Sequence, residues 1–156
     1  MSDSQEMHSA QELSPEDSTA LVERAFEARE MAYAPYSCFH VGAALLTEKG
    51  TLYTGANIEN ASYTVCCCAE RVAFYRALSA GERRFRAIAV VGGAADVKRG
   101  EFRQVFPCGV CRQVMAEFCP GDFTIFTAKS PADYQRYSLD QLLPEAFGPE
   151  NLRADG

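Results

Sequence analysis

Long apolar runs, positive charge and histidine are all scarce in this chain. The apolar run from Ala87 to Ala95 falls far short of the ~20 residues needed to cross a bilayer, so no membrane partner is expected. The 15 Lys and Arg are outnumbered by 21 Asp and Glu, for a net charge of −6. Binding along a phosphate backbone needs clustered cations, so no nucleic-acid partner is expected. The first residues, MSDSQEMHSAQELSPED, hold no apolar stretch of a secretory signal, which leads us to expect a cytoplasmic setting. His8 and His40 are the only histidines; the first lies in the N-terminal tail, and the second reads as an exposed or interface residue. No internal repeat is visible. The 156 residues suit one domain, large enough to bury ~70 % of the unfolded surface.

Cysteine, by contrast, is abundant. Seven occur, at positions 38, 66, 67, 68, 108, 111 and 119. An odd count without a secretory signal argues against a disulfide framework and for metal or redox chemistry. Cys38, Cys66, Cys67 and Cys119 read as buried free thiols.

Residues 1–13 lack hydrophobic periodicity and read as a disordered tail, followed by one domain over 14–156. Ser14-Pro15-Glu16-Asp17 reads as a helix start, with a capping serine, proline at the first helical position and acids at the positive dipole end. Leu21, Val22, Ala25, Phe26 and Ala32 follow at helical spacing, and the helix must end before Ala34-Pro35. Val41 to Thr47 and Leu52 to Asn57 read as a hairpin. Cys67 to Ala80 reads as a helix stopped by Gly81, Arg86 to Val91 as a buried strand, Pro107 to Phe118 as a helix, Phe123 to Ala128 as a strand, and Leu139 to Leu143 as a short helix. Helices alternating with short apolar strands cover both faces of a sheet, and the hairpin makes that sheet mixed.

Two pieces carry the chemistry: Cys68-Ala69-Glu70-Arg71, and Pro107-Cys108-Gly109-Val110-Cys111-Arg112-Gln113. Both sit at expected helix starts, where unpaired N–H groups and positive potential stabilise thiolates. Three thiolates there suit one zinc ion, and three protein ligands leave a position open for water, as catalytic zinc sites do. Glu70 lies two residues after Cys68 on a helix apolar on most sides. A carboxylate there suits proton transfer between an activated water and a substrate. Zinc with three thiolates carries excess negative charge, which Arg71 can relieve by hydrogen bonding a sulfur.

At these residues the chain resembles the zinc-dependent deaminases, and its all-cysteine set resembles the small cytidine deaminases of nucleoside salvage. The resemblance extends to APYSCFHVGAA (34–44), NIENASY (57–63), PCGVCRQVMAEF (107–118) and LLPEAF (142–147). It implies a three-layer α/β/α fold with a mixed, about five-stranded sheet. It also implies one zinc ion per subunit on Cys68, Cys108 and Cys111, with Glu70 as proton shuttle. Arg71 and Gln113 would support the ligands from outside. Asn57 and Glu59 would hydrogen-bond the ribose, Phe39 would pack against the pyrimidine, and the backbone at Ala69 would fix its carbonyl. Phe147, Ala61 and Tyr63 would approach across an interface, in a homotetramer with shared active sites. The implied reaction is hydrolytic deamination of cytidine and 2′-deoxycytidine. Departures are Val72 where the family commonly has threonine, the extra Cys66-Cys67 pair, and Glu145 where a small residue is frequent. Rival readings are a blasticidin-type aminohydrolase, and a non-enzymatic zinc or C-x-x-C redox module.

Overall fold

The computed structural model describes residues 12–98 and 100–153. Helix α1 spans Pro15–Arg29. Its cap is the expected one: the Ser14 hydroxyl accepts from Asp17 N–H at 3.0 Å, with Pro15 in the first turn. Ser18, Leu21, Val22, Ala25, Ala28 and Arg29 make its buried stripe at spacings of three and four. The helix ends at Arg29, so Ala32 lies in the turn beyond it.

Strands β1 (Phe39–Thr47) and β2 (Leu52–Ala56) form the hairpin, with Gly50 at φ 85° in its turn, a conformation glycine adopts without strain. Helix α2 spans Ala69–Ser79, β3 Phe85–Ala94, α3 Gly109–Phe118 and β4 Thr124–Ser130. Strand β5 (Asp133–Ser138) leads into α4 (Leu139–Leu142), which a capping box starts at Ser138 and Gln141.

The sheet order is β2-β1-β3-β4-β5. β1 is antiparallel to both β2 and β3, β3 and β4 are parallel, and β5 returns antiparallel to β4. The parallel pair needs a crossover long enough to carry α3. Alternation along each strand divides the core. Ala43, Leu45, Ile88, Val90 and Ile125 pack with Ala73 and Phe74 of α2, Met115 of α3 and Leu139 of α4. Ala44, Ala87, Ala89, Val91, Phe126 and Ala128 pack with Leu21, Val22 and Ala25 of α1. The result is three layers around a mixed five-stranded sheet, as expected.

Individual segments differ from the sequence reading. β5 was not among the strands read from periodicity, because DYQRYS is largely exposed and does not alternate. α2 and α3 begin two residues later than expected, so Cys68 and Cys108 are N-cap residues and Cys67 lies before the helix. Leu13 packs against the α1-side core and Glu12 pairs with Arg136, so the packed body takes in both. The disordered reading of the tail otherwise falls on residues 1–11, outside the described residues.

Candidate active site

The two helix starts that carry the cysteine motifs converge. Cys68 caps α2 and Cys108 caps α3, both in extended conformation, and neither thiol caps its own helix. The sulfurs are therefore free to face one another. Sγ of Cys68 lies 3.8 Å from that of Cys108, which lies 3.6 Å from that of Cys111. All three fall within 4.8 Å of one another. A tetrahedral centre with Zn–S bonds of about 2.3 Å sets its sulfurs about 3.8 Å apart. The cluster therefore fits one zinc ion, with a fourth position that no cysteine or histidine fills among the described residues.

The electrostatics favour the metal-ready state at one sulfur. Hydrogen bonding with Cys111, and then with Arg71 and Cys108, draws the Cys68 thiol down to about 5. Cys111 moves the other way: its bond to Cys68 and its burial push it up. With no metal, Cys68 thus ionises ahead of Cys111.

Glu70, second residue of α2, is only 4 % exposed. Burial pushes its carboxyl up to about 7. A carboxyl poised near neutrality beside the thiol cluster can both take and give a proton. Arg71 donates through Nη2 to Sγ of Cys68 at 3.7 Å and to the Cys66 carbonyl at 3.1 Å. Gln113, expected to support the ligands, instead donates through Nε2 to the Phe147 carbonyl at 2.8 Å. That bond fastens the C-terminal segment to the middle of α3.

A cleft of about 640 Å³ opens beside the cluster, lined by Tyr36, Ser37, Asn57, Ile58, Glu59, Tyr63, Thr64, Cys66, Cys67, Cys68, Arg71 and Val110. Asn57 and Glu59 share this lining, but both are already engaged. The Asn57 side chain accepts from Val41 N–H and donates to the Phe39 carbonyl, each at 2.8 Å, extending the β1–β2 pairing by one step. Glu59 Oε2 accepts from Tyr36 N–H at 2.8 Å and Ser37 N–H at 3.2 Å. The Ser37 hydroxyl, ahead of these two amides, holds the Glu59 carboxyl below its ordinary value.

The other expected residues stand as follows. Ala69 is buried in the first turn of α2. Phe39, 39 % exposed, opens β1. Ala61 is exposed ahead of α2, and Tyr63 opens a short 3-10 helix, Tyr63–Val65, 69 % exposed and edge-on to Tyr36 at 5.7 Å. Phe147 is 60 % exposed and does not line the cleft.

Four thiol expectations are corrected. Cys66 and Cys67 are half-buried and line the cleft, because the chain runs extended into the Cys68 cap and leaves both beside the opening. Cys38 is exposed at φ 53°, in a turn that points its side chain away from the core. Cys119 is half-buried, and burial pushes its thiol up. Tyr36, Ser37, Ile58, Thr64 and Val110 were missed as cleft residues. Only the Pro35-Tyr36-Ser37 turn signal pointed there.

The motifs and geometry agree with known proteins. Residues 15–127 match the family model described as the cytidine and deoxycytidylate deaminase zinc-binding region. A cytidine deaminase of Halalkalibacterium halodurans is 50 % identical over 136 residues, covering 87 % of this chain and 98 % of that protein. One from Sporosarcina psychrophila is 48 % identical, covering 87 % and 95 %. The solved structure of cytidine deaminase from Burkholderia pseudomallei superposes with a TM-score of 0.73 at 48 % identity, covering 82 % of this chain and 97 % of that one. A family match over most of the packed body, joined to a three-thiol cluster of zinc dimensions, shows that this chain belongs to the cytidine and deoxycytidylate deaminase family and is a zinc protein.

Proposed function

We propose that this chain catalyses the hydrolytic deamination of cytidine and 2′-deoxycytidine to uridine and 2′-deoxyuridine, with release of ammonia. The observation that carries this reading is Glu70: a carboxyl buried to 4 % exposure, pushed up to about 7, beside three converging thiols. A purely structural zinc module has no use for such a group, since burying an ionisable carboxyl costs stability.

Cys68, Cys108 and Cys111 would hold the zinc, which supplies a Lewis acid that makes water nucleophilic at neutral pH. Glu70 carries one proton to ring N3 and a second to the departing amino group, so C4 exchanges ammonia for the oxygen of water. Arg71 offsets negative charge at the Cys68 sulfur. The backbone N–H at Ala69 fixes the pyrimidine carbonyl, and Phe39 packs on the ring. Asn57 and Glu59 bind the ribose; the ionised carboxylate, an acceptor only, suits hydroxyl donors.

The single catalytic domain expected over residues 14–156 takes in Glu12 and Leu13 as well. We place it in a homotetramer in which Phe147, Tyr63 and Ala61 meet the substrate of a neighbouring subunit; their exposure supports this. Pyrimidine salvage in the cytoplasm is the setting, in keeping with seven free thiols.

The test is the ultraviolet change on adding cytidine to purified, zinc-loaded protein, with Glu70→Ala as control. Conversion to uridine that depends on Glu70 is expected. A folded, zinc-loaded chain that converts no cytidine overturns the reading in favour of another aminopyrimidine substrate or a non-enzymatic module.

A further inference from the structure

The loop after α4, residues 142–147, folds back on α3, and two neighbouring residues of α3 grip its two ends. Arg112 donates through Nη1 to the Leu142 carbonyl. Gln113 donates through Nε2 to the Phe147 carbonyl at 2.8 Å. These are the two residues that follow Cys111 in the chain. The next amide along is held as well: Gly148 N–H donates to Asn151 Oδ1 at 2.7 Å. The peptide unit between Phe147 and Gly148 is therefore fixed at its carbonyl and at its N–H, and because that unit is planar its orientation is set. Between the grips, Glu145 sits at φ 53°, a left-handed conformation that a non-glycine residue keeps only where its surroundings hold it. Gly148 is buried, while Phe147 is 60 % exposed and lies outside the cleft of its own chain. The backbone is anchored and the ring is presented.

We propose that Gln113 is a positioning residue for substrate binding: by holding the Phe147 carbonyl it aims the Phe147 ring at the pyrimidine in the cleft of a neighbouring subunit. This rests on the reading that Phe147 meets that substrate. Gln113 acts through one peptide unit. A ring on a fixed backbone loses little freedom on docking, and such pre-organisation is worth affinity without a new contact. Without the Gln113 donor, Asn151 holds the peptide from one side alone, and the ring samples orientations that do not stack. Stacking holds bound substrate and transition state alike, so the loss falls on KM. Arg112 is the poorer probe, because its Nε also holds the Pro107 carbonyl at 2.7 Å, next to Cys108.

The experiment is a double-mutant cycle on cytidine in the full-length, zinc-loaded enzyme. The variants are Gln113→Leu, Phe147→Ala and the two together. Gln113→Glu, which keeps the length and loses the donor, is a second probe of the same bond. Gln113 is exposed, so replacing it leaves the core untouched. Tm and assembly size are recorded for each variant. Phe147→Ala is expected to raise KM about tenfold. Gln113→Leu and Gln113→Glu are expected to raise it about three- to tenfold, with kcat within about twofold. Added to Phe147→Ala, Gln113→Leu is expected to change KM by less than about twofold, because the ring it aims is gone. Should Gln113→Leu not fold, Gln113→Glu closes the same cycle.

Wild-type KM in the Gln113 variants overturns the proposal, as does a loss confined to kcat. A Gln113 penalty that persists in full beside Phe147→Ala assigns Gln113 to the fold and overturns it too. Gln113 variants that fall to smaller assemblies, while Phe147→Ala keeps the wild-type size, assign Gln113 to the subunit interface instead. Phe147→Ala with unchanged KM overturns the reading of Phe147, and the proposal with it. A wild-type chain that turns over no cytidine overturns the deaminase reading itself.

Discussion

The guanidinium of Arg71 reaches back one helical turn to the residue that caps its own helix. Its Nη2 donates to Sγ of Cys68 at 3.7 Å while also holding the Cys66 carbonyl at 3.1 Å. The same group thus holds the Cys68 sulfur and the backbone just ahead of it. Its Nε is buried without a hydrogen-bond partner, a cost accepted for the placement of the other nitrogens. Loss of a residue that orients a ligand typically costs 10–100-fold in metal affinity, so Arg71→Gln is expected to weaken zinc binding by about that factor. Competition against a chromophoric chelator measures it. Unchanged affinity would leave Arg71 with a packing role only.

Glu70→Gln separates chemistry from folding. Replacing the carboxyl removes proton transfer, and turnover of cytidine is expected to fall by at least ~10²–10⁴-fold with zinc retained. In metal-free protein the stability should change with the opposite sign. The Glu70 carboxyl rises from an ordinary 4.5 to about 7 on folding, chiefly through burial. The folded state therefore binds the extra proton between those values, and wild-type stability falls as pH climbs through that window. Glutamine carries no such penalty. The Tm of chelated Glu70→Gln should exceed that of chelated wild type at pH 8, and the gap should close toward pH 5. A gap of the same size at both pH values would show that the burial does not act on the charge.

Zinc binding displaces thiol protons, so affinity for the metal should fall as pH falls. With zinc chelated away, Cys68 should be more reactive than Cys111. Its bond with Cys111 and the Arg71 guanidinium hold it down to about 5, while Cys111 is pushed up. Iodoacetamide at pH 6.5 followed by peptide mass spectrometry should find Cys68 modified before Cys111, and zinc should protect it. The selectivity should vanish as pH drops below about 5, where the Cys68 thiolate is protonated. Preferential labelling of Cys111 would reverse this charge assignment.

Two glycines allow helices to lie directly on the sheet, on opposite faces. A Cβ on Gly55 would sit 2.3 Å from the Ala69 carbonyl oxygen and 2.6 Å from Ala73 N, and one on Gly42 would sit 2.1 Å from the Ala25 carbonyl oxygen. Backbone cannot step aside as a side chain can, so either alanine should cost about 1–3 kcal/mol in chemical denaturation. Only Gly55→Ala pushes on the first turn of α2, which carries Cys68 and Glu70. It should lower zinc affinity as well, whereas Gly42→Ala should lower stability with zinc affinity kept. Equal zinc affinities in the two variants would show that α2 can shift without disturbing its cap.

Much of the fold was legible where local chemistry is strong. Ser14 and Pro15 gave the α1 start, and the apolar stretches Val41 to Thr47 and Leu52 to Asn57 gave the hairpin. β5 was illegible as a strand because DYQRYS lies at the sheet edge and owes its conformation to pairing with β4. Gln113 was misplaced because its position in the motif says nothing of the C-terminal segment folded beside it. Cys66 and Cys67 were read as buried because a cysteine next to an apolar helix usually is, whereas the extended approach to the cap leaves both at the cleft. The C-A-E-R and P-C-x-x-C runs named the right residue types for zinc chemistry, but their sulfur separations are a property of packing.

The sequence by itself determined what is local: which residues start and stop helices, which strands have buried faces, and which side chains are able to bind metal or move a proton. These depend on backbone preferences and on side-chain chemistry within a few residues. Only the tertiary structure decided what is relative. The parallel pairing of β3 with β4 and the packing of α2 and α3 on one face bring Cys68 to Cys108 across forty positions. The turn at Ser37 is brought onto Glu59 from twenty-two positions away. Such meetings follow from burying two faces of one sheet at once, a condition that the whole chain satisfies together.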